Sequence, residues 1–168
     1  MGDLLNIDAA LILDSLGDGV YVTDLNRIVK GGEAFATGIG GLVDAERRKI
    51  CFAGAGNPPA LLIHAGGEFE QVECPGLPFG LVEDAPYDDT TLTLRPNDRL
   101  LLFSDGAMEI HNAENKLLGV DGLIAILKRL GYPGSGIQGT ALEEELLKYS
   151  NSVRLEDDLS LIEIRFAG

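Results

Sequence analysis

The sequence predicts an α+β domain in which helices pack on an antiparallel sheet. Between residues 37 and 104, short apolar segments alternate with turns rich in glycine, proline and charged residues, a pattern typical of strands. Two segments between residues 120 and 149 have apolar residues at helical spacing, and a last apolar segment covers residues 158–166. Strands, then helices, then a final strand are typical of an α+β domain. A chain of 168 residues is long enough to bury a substantial core.

The N-terminal residues predict a small unit of their own. Residues 7–16 have helical apolar spacing, and residues 19–29 have the apolar segments and central turn of a hairpin. This stretch resembles the opening of a PAS sensor domain, of which only the beginning is present. The flexible segment 30–33 then predicts a boundary. We therefore expect a PAS-like fragment over residues 1–32 and a second unit over residues 33–168.

Six strands and two helices are predicted in the second unit before its last strand. The predicted strands cover residues 37–44, 49–53, 60–64, 68–73, 89–94 and 99–104. Residues 99–104 are nearly all apolar, so we expect this strand at the centre of a sheet, buried on both faces. The predicted helices cover residues 120–130 and 140–149. Thr140 and Glu143 have the spacing of a capping box at the start of the second helix.

Two acidic motifs accompany apolar strands near the C-terminus. Phe103-Ser104-Asp105-Gly106 ends one strand, and Asp157-Asp158-Leu159-Ser160 begins another. If these strands are neighbours, Asp105 and Asp157 lie together at one sheet edge. Carboxylate oxygens are hard ligands suited to Mg²⁺ or Mn²⁺. The alternative is that each aspartate only forms a turn beside a buried strand, because Asp-Gly is a common turn signal.

These motifs and three earlier ones resemble those of the metal-dependent serine/threonine phosphatases of type 2C, in their bacterial sporulation stage II protein E subfamily. The earlier motifs are Phe35-Ala36-Thr37-Gly38, Gly54-Ala55-Gly56-Asn57-Pro58-Pro59 and Gly76-Leu77-Pro78-Phe79-Gly80. The resemblance covers residues 33–166 and corresponds to the C-terminal two-thirds of the family domain. It implies a β-sandwich of two antiparallel sheets with flanking helices, without the helical layer that the missing N-terminal half supplies.

The resemblance also implies a chemistry. In the family, two divalent ions, Mn²⁺ or Mg²⁺, activate a water molecule that attacks the phosphorus of phosphoserine or phosphothreonine. Asp105 and Asp157 correspond to metal ligands, and Gly106 and Asp158 complete the two metal-binding motifs. Glu109 follows the family pattern Asp-Gly-x-x-Glu, which gives it a place near the metal or a role in capping the following loop.

One family motif is missing from the sequence. Family members have a strand that ends in Gly-Asp before the Phe-Ala-Thr segment, and its aspartate bridges both metal ions. Asp24 ends an apolar segment in a similar way and Asp18 lies between two glycines, but both positions are typical of PAS-like turns, so we do not expect either to bind metal. We therefore expect an impaired phosphatase. The alternative is a non-catalytic interaction module that dimerises to cover an apolar sheet face.

Composition excludes several other functions. The net charge of −14 opposes binding to a nucleic-acid backbone. We find no membrane-spanning segment and no signal peptide, and expect a cytoplasmic protein. Cys51 and Cys74 are expected to be reduced, with Cys51 in the core, and His64 and His111 to lie on the surface. The resemblance implies a phosphorylated regulatory protein, such as an anti-anti-sigma factor, as the partner.

Overall fold

Two four-stranded antiparallel sheets pack face to face at the centre of the protein. The structure is a computed structural model that describes residues 19–24 and 36–165. The predicted helix at residues 7–16 and the predicted boundary at residues 30–33 lie outside the described residues. In chain order the elements are β1 Gly19–Asp24, β2 Thr37–Asp44, β3 Lys49–Ala55, β4 Ala60–Ile63, β5 Phe69–Val72, β6 Thr90–Thr93, β7 Arg99–Phe103, a 3-10 turn Asp105–Ala107, α1 Gly119–Arg129, α2 Gly139–Ser150 and β8 Leu161–Arg165.

The first sheet has the strand order β1-β2-β3-β6, and all its neighbouring strands are antiparallel. β1 pairs with β2 along its whole length, from Gly19 opposite Leu42 to Asp24 opposite Thr37. The first strand of the predicted PAS-like hairpin therefore belongs to the same sheet as β2. The second strand of that hairpin, at residues 28–29, lies outside the described residues.

The second sheet has the strand order β5-β4-β7-β8 and is also antiparallel. β7 lies between β4 and β8, which confirms its predicted central place. Leu100 and Leu101 point to opposite faces of the sheet, and both are completely buried. Burying one such side chain contributes about 1.5–3 kcal/mol to stability. β7 is therefore firmly held on both faces, and so are the residues that directly precede and follow it.

Alternate side chains of β7 belong to two separate cores. Leu100 and Leu102 face the first sheet, where they join Ile39, Val43 and Phe52. On the other face, two residues of β7 join side chains of β4 and of both helices: Leu101, Phe103, Leu61, Leu123, Leu127, Leu142 and Leu146. The layers are thus sheet, sheet and helices. This arrangement confirms the predicted α+β class and the antiparallel sandwich with flanking helices.

The outer face of the first sheet is more open than its inner face. Leu42 points outward from β2 and is 56% exposed. Cys51 lies opposite Leu42 and is half-buried on this outer face, so its predicted place in the core is wrong. The reason is the alternation of β3, in which Ile50 and Phe52 take the inward positions. Cys74 is the buried cysteine, and both thiols are free, as expected.

The two helices cover the outer face of the second sheet. α1 begins one residue before its predicted start, and α2 includes all of the predicted segment. The predicted capping box is wrong, because Gln138 is the N-cap residue of α2 and makes no side-chain capping bond. Thr140 lies inside the first turn instead, since the buried Gly139 already begins the helix. In the part of the chain that the structure describes, no helix is long and apolar enough to span a bilayer.

Candidate functional site

The pairing of β7 with β8 brings the two acidic motifs together. Phe103, the last residue of β7, lies opposite Leu161, the first residue of β8. Residues 104–106 and 157–160 therefore leave the sheet side by side, although more than fifty positions separate them in the sequence. The predicted meeting of the two motifs at one sheet edge follows from this register.

Ser104 fastens the two segments to each other. Its backbone N–H donates to the carbonyl of Ser160 at 3.0 Å. Its hydroxyl donates to the carbonyl of Asp158 at 2.8 Å and accepts from the N–H of Ser160 at 3.0 Å. Ser104 is only 4% exposed, so water cannot reach its polar groups, and breaking these bonds would leave buried groups unsatisfied. The three bonds set the distance between the Asp105 segment and the Asp157 segment.

Gly106 allows the segments to approach as closely as they do. A Cβ atom at this position would lie 2.4 Å from the carbonyl oxygen of Asp158, a distance that side-chain carbons do not adopt. The N–H of Gly106 donates to Oδ1 of Asp105 at 2.9 Å, and the carbonyl of Asp105 accepts from the N–H groups of Met108 and Glu109 at 2.8 Å. Gly106 therefore shapes the site through its backbone and its lack of a side chain.

The two neighbouring aspartates of the second motif differ in what they contact. Oδ1 of Asp157 accepts from the N–H of Asp158 at 2.8 Å, which orients the Asp157 carboxylate locally. Asp158 contributes that N–H and the carbonyl that Ser104 holds. Both side chains are exposed, whereas Asp105 is half-buried. The carboxylates of Asp105 and Asp157 thus lie on adjoining segments, and Asp158 joins these segments through its backbone.

The strand topology puts the end of β1 at this same end of the sandwich. Residues 56–59 connect the end of β3 to the start of β4, and β4 runs antiparallel to β7, so the start of β4 lies beside the end of β7. The end of β3 pairs with the start of β2, and Thr37 there lies opposite Asp24. The backbone of Asp24 is therefore at the end of the sandwich that holds Asp105 and Asp157.

The side chains of this edge decide whether a metal ion could bind there. Asp105 and Asp157 offer carboxylate oxygens, the donor type that Mg²⁺ and Mn²⁺ prefer. Among the described residues, however, no group of three or more His, Cys, Asp or Glu side chains could hold a metal ion. The described residues thus fit one side of a divalent-cation site and do not complete it.

Comparison of the sequence with known families identifies the chain. The family described as Stage II sporulation protein E (SpoIIE) matches residues 1–167. The chain belongs to the SpoIIE family. The phosphoserine phosphatase RsbP of Bacillus subtilis (strain 168) is 33% identical over 67 residues, which are 40% of this chain and 17% of RsbP. This chain therefore corresponds to a small part of that relative.

Solved structures of PP2C phosphatase domains share the fold of this SpoIIE-family chain. The SiaA-PP2C domain of Pseudomonas aeruginosa matches with a TM-score of 0.65 and 21% identity, over 79% of this chain and 52% of that one. The PP2C phosphatase domain of SpoIIE from Bacillus subtilis, solved with a fragment of its regulatory domain, matches with a TM-score of 0.59 and 17% identity, over 83% and 41% of the two chains. The sandwich is thus a PP2C-type fold, and this chain spans about half of those structures or less.

The other residues singled out in the sequence of this SpoIIE-family chain lie at separate positions in the structure or outside its described part. Glu109 is exposed close to the site, and its N–H caps the carbonyl of Asp105. His111 is exposed in the loop after the 3-10 turn, as expected. His64 is not an isolated surface residue, because its Nε2 lies 3.1 Å from a carboxylate oxygen of Glu70 and its Nδ1 lies 3.7 Å from one of Asp98. Asp18 lies outside the described residues.

Two residues of the site were missed in the sequence. Ser104 has no predicted role of its own, although a serine beside an aspartate after a buried strand is a signal for a side-chain bond to a neighbouring segment. Arg154 belongs to no motif. It lies three residues before Asp157 and lines a cleft together with Gly106, because the chain returns to the sheet edge after α2. Its place beside Gly106 depends on tertiary structure.

Proposed function

We propose that this chain is a metal-dependent phosphatase domain that removes phosphate from phosphoserine or phosphothreonine of a signalling protein, with impaired activity. The observation that carries the proposal is the β7–β8 register, which sets Asp105 and Asp157 on adjoining segments. Membership of the SpoIIE family and the similarity to the phosphoserine phosphatase RsbP support the reaction class.

Asp105 and Asp157 are the residues that would hold Mn²⁺ or Mg²⁺. Gly106 and Asp158 would support them through the close backbone contact between the two segments. A bound divalent ion lowers the pKa of water and neutralises charge on the phosphoryl oxygens. The role of this chain's own residues is to set the separation of the two carboxylates and to hold it with the Ser104 bonds.

The donor set that the described residues offer, two carboxylates, is the physical basis for the proposed impairment. Two carboxylates bind a hard cation less tightly than the larger oxygen sets that Mg²⁺ and Ca²⁺ sites use. The backbone of Asp24 lies at the same end of the sandwich, so Asp24 is the first candidate to test as a third ligand. This role would differ from the PAS-like turn that the sequence favours for Asp24. From the resemblance to the type 2C phosphatases of the sporulation stage II protein E subfamily, we also propose a phosphorylated regulatory protein, such as an anti-anti-sigma factor, as substrate.

Calorimetric titration with Mn²⁺ tests the proposal. We expect Asp105→Asn to weaken Mn²⁺ binding and to lower Mn²⁺-dependent hydrolysis of p-nitrophenyl phosphate by at least about a hundredfold, because a ligand is lost. Glu46→Gln is the matched control, since it removes an exposed carboxylate from the β2–β3 turn at the opposite end of the sandwich. Equal Mn²⁺ affinity in the wild type and Asp105→Asn would contradict the assignment.

A second candidate function is a non-catalytic module that acts as a homodimer. The exposure of Leu42 on the outer face of the first sheet favours it, because an apolar side chain there is suited to a second copy of the same face. Sedimentation velocity over a range of concentrations tests this candidate. A dimer in the wild type and a monomer in Leu42→Glu would support it, and a wild-type monomer at all concentrations would exclude it.

A further inference from the structure

A cleft adjoins the aspartate edge on the side of α2. It has a volume of about 70 Å³ and lies between residues 106–111 and residues 150–157. Gly106 and Asp157, which belong to the candidate site, line it together with Arg154, so we name this feature the Arg154 cleft. A group bound in the Arg154 cleft would touch the residues that are proposed to hold the metal.

Arg154 is a cation without an acidic partner in the described part of the chain. Other arginine and lysine side chains close to carboxylates are engaged: Arg47 pairs with Asp44, Arg99 with Glu163, and Arg129 and Lys148 with Glu145. Within the described residues, the bonds of Arg154 are those of its backbone: its N–H donates to the hydroxyl oxygen of Ser152, and its carbonyl accepts from that hydroxyl. These bonds fix the backbone that carries the exposed guanidinium.

The lining of the cleft limits what it can bind. The described residues that line it include no Phe, Tyr or Trp, so they offer no large ring for stacking a nucleobase. Ile110 and Leu155 supply an apolar side, and Ser150, Ser152 and His111 supply hydrogen-bonding groups. Glu109, Glu156 and Asp157 also line it, so an anion binds there only if a cation offsets their charge. Arg154 is the cation that this lining provides.

We propose that Arg154 is a substrate-positioning residue that binds the phosphoryl group of a phosphoserine segment in the Arg154 cleft. A guanidinium matches two phosphoryl oxygens with two parallel hydrogen bonds, which an ammonium group does not reproduce. The short hydrocarbon side of the cleft suits the serine methylene and the peptide that carries it. The inference rests on the proposed phosphatase function, because it assigns the substrate of that same site.

Binding and turnover of a short phosphoserine peptide test the inference, with the unphosphorylated peptide for comparison. The peptides are titrated into the wild type, Arg154→Gln, Arg154→Lys and Arg95→Gln, once in buffer with EDTA and once in buffer with Mn²⁺. Arg95 is an exposed arginine in the β6–β7 turn at the opposite end of the sandwich, so Arg95→Gln is matched in charge. We expect Arg154→Gln to weaken phosphopeptide binding about five- to tenfold and to raise KM more than it lowers kcat. Arg154→Lys should recover part of the affinity, and Arg95→Gln should match the wild type.

The outcomes separate this inference from the proposed function. Phosphopeptide binding that depends on Arg154 without any Mn²⁺-dependent turnover supports the inference and counts against the catalytic proposal. Turnover with the same KM in the wild type and Arg154→Gln supports the phosphatase and overturns the inference. Equal affinity of the wild type for the phosphorylated and unphosphorylated peptides, in both buffers, also overturns it.

Discussion

Asp98 and Asp105 lie directly before and shortly after β7, at opposite ends of the sandwich, and their surroundings differ. Asp98 is 2% exposed, and its two carboxylate oxygens accept from the N–H groups of Ala65 and Arg95 at 3.0 and 2.9 Å. Asp105 is half-buried, accepts from the N–H of Gly106 and lies next to a second acidic segment and to Gly106, which lines an open cleft. Asp98 joins two turns, whereas Asp105 belongs to the proposed metal site.

The comparison shows how the same residue type acquires two roles from its tertiary neighbours. Around Asp98, backbone N–H groups from two turns use both oxygens and the side chain is sealed from water. Around Asp105, the facing segment carries another aspartate, Asp157, on the adjoining chain. Asp98 therefore contributes to stability, whereas the proposed role of Asp105 is in the metal site.

The largest expected effect is that of removing the buried carboxylate. Asp98→Ala leaves the N–H groups of Ala65 and Arg95 without their acceptor, so we expect it to lower the free energy of unfolding by about 2–4 kcal/mol. Urea unfolding measures the loss. Asp105→Asn should change stability by less than about 1 kcal/mol, since its side chain is partly in water. A greater loss of stability in Asp105→Asn than in Asp98→Ala would reverse the comparison.

A smaller effect is expected from separating the two acidic segments. Gly106→Ala puts a methyl group against the carbonyl of Asp158, so the segments must move apart. We expect a loss of about 1–3 kcal/mol in unfolding free energy and a weaker Mn²⁺ affinity, both measured against Gly66→Ala. Gly66 lies in the β4–β5 turn with open space where the methyl group would go. Unchanged Mn²⁺ affinity in Gly106→Ala would show that the close approach is not needed for binding.

The smallest expected effect concerns Glu145 on α2, a carboxylate held by cations at the surface. Hydrogen bonds from Lys148 and Arg129 lower the pKa of Glu145 below its ordinary value of 4.5. Its contribution to stability is therefore present above about pH 4.5 and is lost as the pH falls through the lowered pKa. Wild type should be slightly more stable than Glu145→Gln at pH 7, and urea unfolding at a series of pH values should show this difference shrinking as the pH falls through the lowered pKa of Glu145. A difference that persists at low pH would point to packing instead of charge.

Much of the fold could be predicted because its signals are local. The predicted and observed bounds of β2 coincide, and the central place of β7 followed from its unbroken apolar sequence. Errors arose where the outcome depended on a neighbour. Cys51 is a small apolar residue inside a strand, as many core residues are, but the inward positions of β3 belong to Ile50 and Phe52. The capping box at Thr140 had the right spacing, but Gly139 already begins the helix.

Local signals along the chain suffice for the strand pattern, the two helices, the acidic character and the two motifs that contain Asp105 and Asp157. Periodicity and turn chemistry act over a few residues, so they can be recognised along the chain. The three-dimensional fold encloses Asp98, lets Ser104 join the two acidic motifs, brings the backbone of Asp24 to the same end, and places Arg154 in one cleft with Gly106. These outcomes depend on which strands and loops meet across the sandwich, and such contacts are formed between residues far apart in the sequence.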